Sequence, residues 1–266
     1  MSTPHSGSDN SGAGRRWTYG DAGDRWPVRF GQIWQVGPHI LGCGDIEQGH
    51  ANQLFQRFGA AATSSICVVD PPFNQLNAGL FRRKAATWID QPSSPVDFTG
   101  LLGRVVDAAK LCGLAFIEMG VASTRMLKLA IQKSGGQIIG DWSITYGKKN
   151  PCRLLAASWR PEAAVLGNDF TGVDDLDFPA LVIERFSAPG DLVFDPCFGR
   201  GLMARVAHPL NRRFLGLELN PRRMAVTIDS LTKFGISPVL IGTLDLASSE
   251  VSNHGATREQ RNGPRF

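Results

Sequence analysis

Short runs of consecutive apolar residues alternate along this chain with stretches whose apolar positions recur every three or four residues, the pattern of an α/β protein. Ser65–Val69, Cys112–Met119, Asp191-Leu192-Val193-Phe194 and Arg213–Glu218 predict strands, apolar on both faces as in a buried parallel sheet. Glu47–Phe58, Phe98–Leu111, Ser123–Ser134 and Leu202–Pro209 predict helices, the third with Ser123 as its N-cap. Ile138–Tyr146 and Ala163–Gly167 are expected to pair antiparallel near a sheet edge, and Asn74–Pro95 reads as a loop. Residues 1–25 and 248–266 are polar and rich in Gly and charge, and are expected to be disordered. That leaves 26–247 as one domain, long enough to bury a sizeable core.

Two strand ends carry the chemistry. Ser65–Val69 runs into Asp70-Pro71-Pro72-Phe73, and Leu192–Phe194 runs into Asp195-Pro196-Cys197-Phe198-Gly199-Arg200-Gly201. Ligands of parallel α/β sheets sit beyond the carboxyl ends of the strands, so both loops can face one site. Gly199 and Gly201 permit positive φ and close backbone approach to a ligand. Glu218 ends the next strand, where an acid can accept hydrogen bonds from ribose hydroxyls. The spacing fits a nucleoside-containing cofactor.

The first loop suits an exocyclic base amine. Such a nitrogen is a poor nucleophile because its lone pair is delocalised into the ring. Asp70 and the Pro71 carbonyl can accept its two N–H hydrogens and free the lone pair, and Phe73 offers a face for the base to stack on.

At these residues the chain resembles the DNA amino-methyltransferases that use S-adenosylmethionine. It is most similar to the permuted, beta-type order, in which the Asp-Pro-Pro-aromatic motif precedes the glycine loop, and within it to versions found beside ParB-like nuclease domains. Gly31–Asp45 is similar to the lead-in strand and Gly-Asp turn of that family. The resemblance implies a Rossmann-like methyltransferase fold, a mainly parallel seven-stranded sheet with permuted strand order. It implies catalytic roles for Asp70, Pro71, Pro72 and Phe73. It implies cofactor contacts from Asp45, to the adenine, and from Asp195, Cys197, Phe198, Gly199, Gly201, Glu218 and Asn220. It also favours adenine N6 over cytosine N4 as the methyl acceptor. The family's usual Asp-Pro-Phe-x-Gly-Ser-Gly-Thr-Thr is altered here: Cys197 stands for Phe, Arg200 for Ser, and Leu202-Met203 for the two Thr. These changes keep open a second reading, a DNA-binding protein with the fold but weak catalysis. Methylation of an RNA or protein amide is a third; those families usually place the glycine loop first.

Charge narrows the partner only by its distribution. The chain of 266 residues carries a formal charge of +4. Arg82-Arg83-Lys84, shortly after the catalytic loop, and Lys148-Lys149 with Arg153 are candidate phosphate contacts. Asn168–Pro189, where the family often recognises its target sequence, is short and acidic, so recognition should fall to Asn74–Pro95, Tyr146–Arg160 or a second subunit of a homodimer. The five cysteines lack paired spacing, which argues against a disulfide framework or a metal site and fits a reducing cytoplasm. Cys197 is read as a packing residue, and His39, His50 and His208 as structural. No apolar run approaches membrane-spanning length.

Overall fold

The computed structural model describes residues 19–62, 64–89, 95–147, 150–161 and 163–246. In chain order the elements are α1 (Tyr19–Arg25), β1 (Gln32–Val36), β2 (His39–Cys43), α2 (His50–Phe58), β3 (Ser65–Val69), α3 (Gln75–Ala86), α4 (Phe98–Lys110), β4 (Leu114–Gly120), α5 (Thr124–Lys133), β5 (Gln137–Tyr146), β6 (Asn150–Ser158), α6 (Phe178–Phe186), β7 (Leu192–Asp195), α7 (Leu202–Ala207), β8 (Arg213–Glu218), α8 (Pro221–Thr232) and β9 (Pro238–Thr243). Short 3₁₀ turns at Ile46–Gln48 and Val121–Ser123 precede α2 and α5.

One sheet runs β5-β6-β4-β3-β7-β8-β2-β1-β9. Its five central strands, β4-β3-β7-β8-β2, are parallel neighbours, and the flanking pairs are antiparallel. Alternate residues of the central strands feed two cores. Cys67, Val69, Phe194, Leu215 and Leu217 pack with Leu54, Leu102, Val105, Leu127 and Ile131 from α2, α4 and α5. Ile66, Val68, Val193 and Phe214 pack with Val182, Ile183, Met203, Met224 and Ile228 from α6, α7 and α8. Burial on both faces is why these strands read as unbroken apolar runs.

The nine strands correct the expected seven. Gly31–Asp45 is a hairpin: Gly37, at φ +57, turns β1 back along β2 with Val36 opposite His39. β9 then pairs with β1 and closes that end of the sheet. At the other end β5 pairs with β6, not with Ala163–Gly167. That segment meets β5 through the Leu166 N–H, which donates to the Ile139 carbonyl at 2.7 Å, and the Gly167 carbonyl, which accepts the Trp142 Nε1–H at 2.7 Å.

Three further expectations change. Asn74–Pro95 is not a loop, because Asn74 caps Asn77 N–H at 2.9 Å and starts α3. Ser123 makes no side-chain cap to α5. The N-terminal segment expected to be disordered includes α1, which is tied to α8 by an Arg25–Asp229 ion pair. Residues 1–18 and 247–266 lie outside the described residues.

Phe194 is fully buried on β7, edge-on to Phe55 of α2 at 5.1 Å. Phe194→Ala should cost about 3–5 kcal/mol in urea unfolding. A loss below about 1 kcal/mol would place β7 outside the core.

Candidate functional site

Strand order reverses between β3 and β7. From β3 the chain goes to β4, out to the edge strand β5 and back to β6 between them; it then returns to β7 and proceeds the other way to β8. A crevice forms beyond the carboxyl ends at such a switch point. Here it is a cleft of about 680 Å³. Asp70, Pro71, Pro72 and Phe73 line one side of it; Gly44, Asp45, Pro196, Cys197, Leu217 and Glu218 line the other.

Asp70 lies one residue past β3, and its side chain meets the open cleft. Enclosure by the cleft walls and repulsion from Asp175 raise its pKa to about 7, while Arg223 opposes the rise. Phe73 sits edge-on to Tyr146 at 5.5 Å, and Gly120 lets the β4 end close against it: a Cβ there would lie 3.0 Å from the Phe73 Cβ.

Two acids near Asp70 went unnoticed in the sequence. Glu118, on β4, follows Ile117, the register neighbour of Val69, and so lies beside Asp70. It is buried, and its Oε1 has no hydrogen-bond partner. Burial, with repulsion from Asp70 and Asp175, raises its pKa to about 9, so near neutrality it holds a proton. Asp175 arrives because the acidic segment folds along the end of β5: its N–H donates to the Thr145 carbonyl at 2.8 Å, and its Oδ1 accepts the Gly147 N–H at 3.0 Å. An acid inside an apolar strand was the only sequence signal for Glu118.

On the opposite side Glu218 is held by its own loop. Its Oε1 accepts the Asn220 N–H at 2.8 Å, and the Gly199 and Leu219 amides also donate to it. Burial raises its pKa; Arg223 and these amides counter the rise. Arg223 stacks over Phe81 of α3 at 4.4 Å. A guanidinium among these acids is the counter-charge that keeps them ionisable.

Asp45 accepts Arg82 at both oxygens, at 2.8 and 3.2 Å, and Arg82 also pairs with Glu47. These ion pairs occupy Arg82, one of the candidate phosphate contacts. It points into the cleft and links α3 to the cofactor side, while Arg83 and Lys84 remain exposed. Arg153, another candidate phosphate contact, also has an acidic partner. It pairs with Asp141 beside Lys128, on the sheet face opposite its neighbour Cys152, which lines the cleft. Lys148 and Lys149 lie outside the described residues.

Not every expected cofactor residue reaches the cleft. Phe198 is buried against Phe214 with ring centroids 6.0 Å apart, and anchors the loop from within the core. Asn220 caps α8, its Oδ1 accepting the Arg222 N–H at 2.9 Å. Asp195 is buried and accepts the Cys197 N–H at 3.0 Å; burial raises its pKa. Gly199 and Gly201, at φ +56 and +73, shape the turn without lining the cleft. The Cys197 thiol is pushed upward by burial and by the acids around it, which leaves it protonated.

The histidines have structural partners. His39 Nδ1 accepts the Phe214 N–H at 3.1 Å, its Nε2 meets His208 Nδ1 at 2.9 Å, and burial lowers its pKa to about 4. His50 Nδ1 accepts the Asp45 N–H at 3.0 Å. Among the described residues no group of three or more His, Cys, Asp or Glu side chains is arranged to hold a metal ion, and no helix is long and apolar enough to cross a membrane.

Comparison with known proteins agrees with this geometry. Residues 170–229, from the start of the acidic segment into α8, match the DNA methylase family model of the N6/N4 type. M.XycI, a type II methyltransferase of Xanthomonas campestris pv. cyanopsidis, is 36% identical over 66 residues, a match covering 23% of this chain and 22% of that protein. M1.HpyAVI has the same fold at a TM-score of 0.51 and 15% identity, over 72% of this chain and 98% of that one. The PvuII DNA methyltransferase, which is cytosine-N4-specific, reaches 0.50 at 14% identity, over 75% and 89%. The architecture is therefore a Rossmann-like methyltransferase fold, mixed α/β, with the Asp-Pro-Pro strand ahead of the glycine-loop strand. Within that class, the similarity expected from the motifs, to the DNA amino-methyltransferases, is borne out.

Gly201 tests the loop geometry. A Cβ there would fall 2.3 Å from Thr227 Cγ2, in a backbone region that disfavours side chains. Gly201→Ala should cost about 2 kcal/mol or more, combining left-handed strain and overpacking. Thr227→Ala should recover part of that loss. Unfolding equal to wild type would mean that the loop has another shape.

Proposed function

We propose that the protein methylates an exocyclic amine of a DNA base, adenine N6 in preference to cytosine N4, with S-adenosylmethionine as methyl donor. The observation that carries this reading is the single cleft lined on one side by Asp70-Pro71-Pro72-Phe73 and on the other by Asp45, Cys197 and Glu218. The donor side suits a nucleoside: the apolar wall of Ile46 and Leu217 is flanked by two acids that can accept from an amine and from hydroxyls. M1.HpyAVI has the same fold in its complex with S-adenosylmethionine, at a TM-score of 0.50. When bound, the cofactor supplies an electrophilic methyl group.

The chain's own residues do the rest. Asp70, as carboxylate, accepts one amine N–H; the Pro71 carbonyl accepts the other. This withdraws the nitrogen lone pair from the ring and aims it across the cleft. Phe73 stacks the base. The amine proton released after transfer passes to Asp70 and then to water in the cleft. Glu118, neutral, adds no second negative charge beside Asp70. The Asp-Pro-Pro-Phe resemblance favours adenine; the action is of the restriction-modification type and cytoplasmic.

The test is transfer of labelled methyl from S-adenosylmethionine to DNA by the full chain, followed by digestion to nucleosides. Label in N6-methyladenine is expected. Label in N4-methylcytosine would reassign the base, and no label in DNA would overturn the reading. Asp70→Ala should lower the rate by about 10²–10⁴-fold, the scale for a group positioned on a reacting proton. Its cofactor affinity, measured calorimetrically, should be unchanged.

The pH dependence follows from the raised pKa of Asp70. Only the ionised carboxylate accepts the amine hydrogen, so kcat/KM should rise through about pH 7 and level off above it. A profile already flat from pH 5 upward would remove Asp70 from that role.

A further inference from the structure

Near the cleft, in the segments that follow Phe73 and Gly120, the chain exposes apolar side chains that the chemistry above does not use. Leu76, three residues beyond Phe73, is 82% exposed, and Leu80 one turn later is also exposed. Val121, 52% exposed, follows the Gly120 that closes against Phe73. Tyr146, 43% exposed, meets Phe73 edge-on. Single exposed leucines are ordinary on protein surfaces. Here Tyr146 and Gly120 lie against the ring proposed to stack the target base, Val121 follows Gly120, and Leu76 and Leu80 belong to the helix that follows Phe73.

The faces of α3 are arranged accordingly. Ala78 and Ala85 are buried, whereas Asn77, Phe81 and Arg82 line the cleft. The outward stripe, at i, i+4 and i+7, is Leu76, Leu80 and Arg83, with Lys84 exposed beside it. Charge divides the mouth: Asp174 and Asp175 lie on the Tyr146 side, and exposed Arg83 and Lys84 on the α3 side. A polyanion is therefore drawn to α3. Asp70 lines the cleft, and a base-modifying enzyme cannot reach its target atom inside a duplex, so the target must be extruded, which leaves a gap in the stack. Apolar side chains on a DNA-binding face fill or pry open such gaps.

We propose that Leu76 is a wedge that enters duplex DNA at the step vacated by the target base, while Arg83 and Lys84 hold the adjoining phosphates. This rests on the DNA methyltransferase reading and names the surface by which that site engages its substrate.

The experiment uses two duplexes carrying the site that the wild-type protein methylates. One is fully paired; in the other the target base faces an abasic position and is already unpaired. Single-turnover methylation is measured for wild type, Leu76→Ala and, as an exposed-leucine control, Leu181→Ala. Leu76→Ala should be slower by about tenfold or more on the paired duplex, where the target base must first be unstacked. It should match wild type on the abasic-opposed duplex, and Leu181→Ala should match wild type on both. Leu76→Ala equal to wild type on paired DNA, or equally impaired on both duplexes, overturns the wedge. Absence of any wild-type methylation of DNA, in the labelling assay that locates the site, overturns instead the reading on which it rests.

Discussion

The parallel pairing of β3 with β7 is the constraint on which the site depends. Ser65, Ile66 and Cys67 lie opposite Leu192, Val193 and Phe194, so the two chemically loaded loops leave the sheet side by side. Neither loop could form the cleft alone. The Asp-Pro-Pro-Phe loop carries the proposed amine acceptors and stacking ring, and the Gly199 amide of the glycine loop counters the rise in the Glu218 pKa. Reversal of strand order at this pair opens the crevice, and the two apolar cores hold the pair rigid from both faces.

That arrangement gathers carboxyl groups in a small space. Asp70, Glu118, Asp175, Asp195 and Glu218 all have raised pKa values, each chiefly through burial. The structure offsets the repulsion by distinct means. Glu118 keeps a proton. Asp195 and Glu218 take backbone N–H groups. Arg223 and Arg82 bring positive charge from α8 and α3. The two arginines also join the halves of the site. Arg223 reaches Phe81 of α3, and Arg82 reaches Asp45 beyond β2, so α3 is a wall shared by both proposed ligands.

What could be read in the sequence followed from locality. The buried parallel strands and the loops that end them were legible, because burial on both faces leaves an unbroken apolar run. Asp70 and Glu218 followed from their positions at strand ends. β6 was obscured because Pro151, Cys152 and Arg153 do not read as a strand, and its pairing depends on a turn. α3 was obscured because two of its leucines face outward, which erases the helical apolar period. Phe198 and Asn220 were assigned to the cofactor by family position, although packing turns one into the core and capping occupies the other. Arg82 read as a surface cation because its partners lie 35 and 37 residues away in the chain. Glu118 acquires its meaning only when β4 is laid beside β3.

The central claim, that one cleft at the β3–β7 switch holds the cofactor on its β7–β8–β2 side and the base on its β3 side, is tested most directly by hydrogen exchange on the full chain. The account expects S-adenosylhomocysteine alone to slow exchange in the segments around 44–49, 195–202 and 216–223. Protection of 70–86 should become large only when duplex DNA is added as well. Cofactor-induced protection confined to some other part of the chain, or none at all, would contradict it.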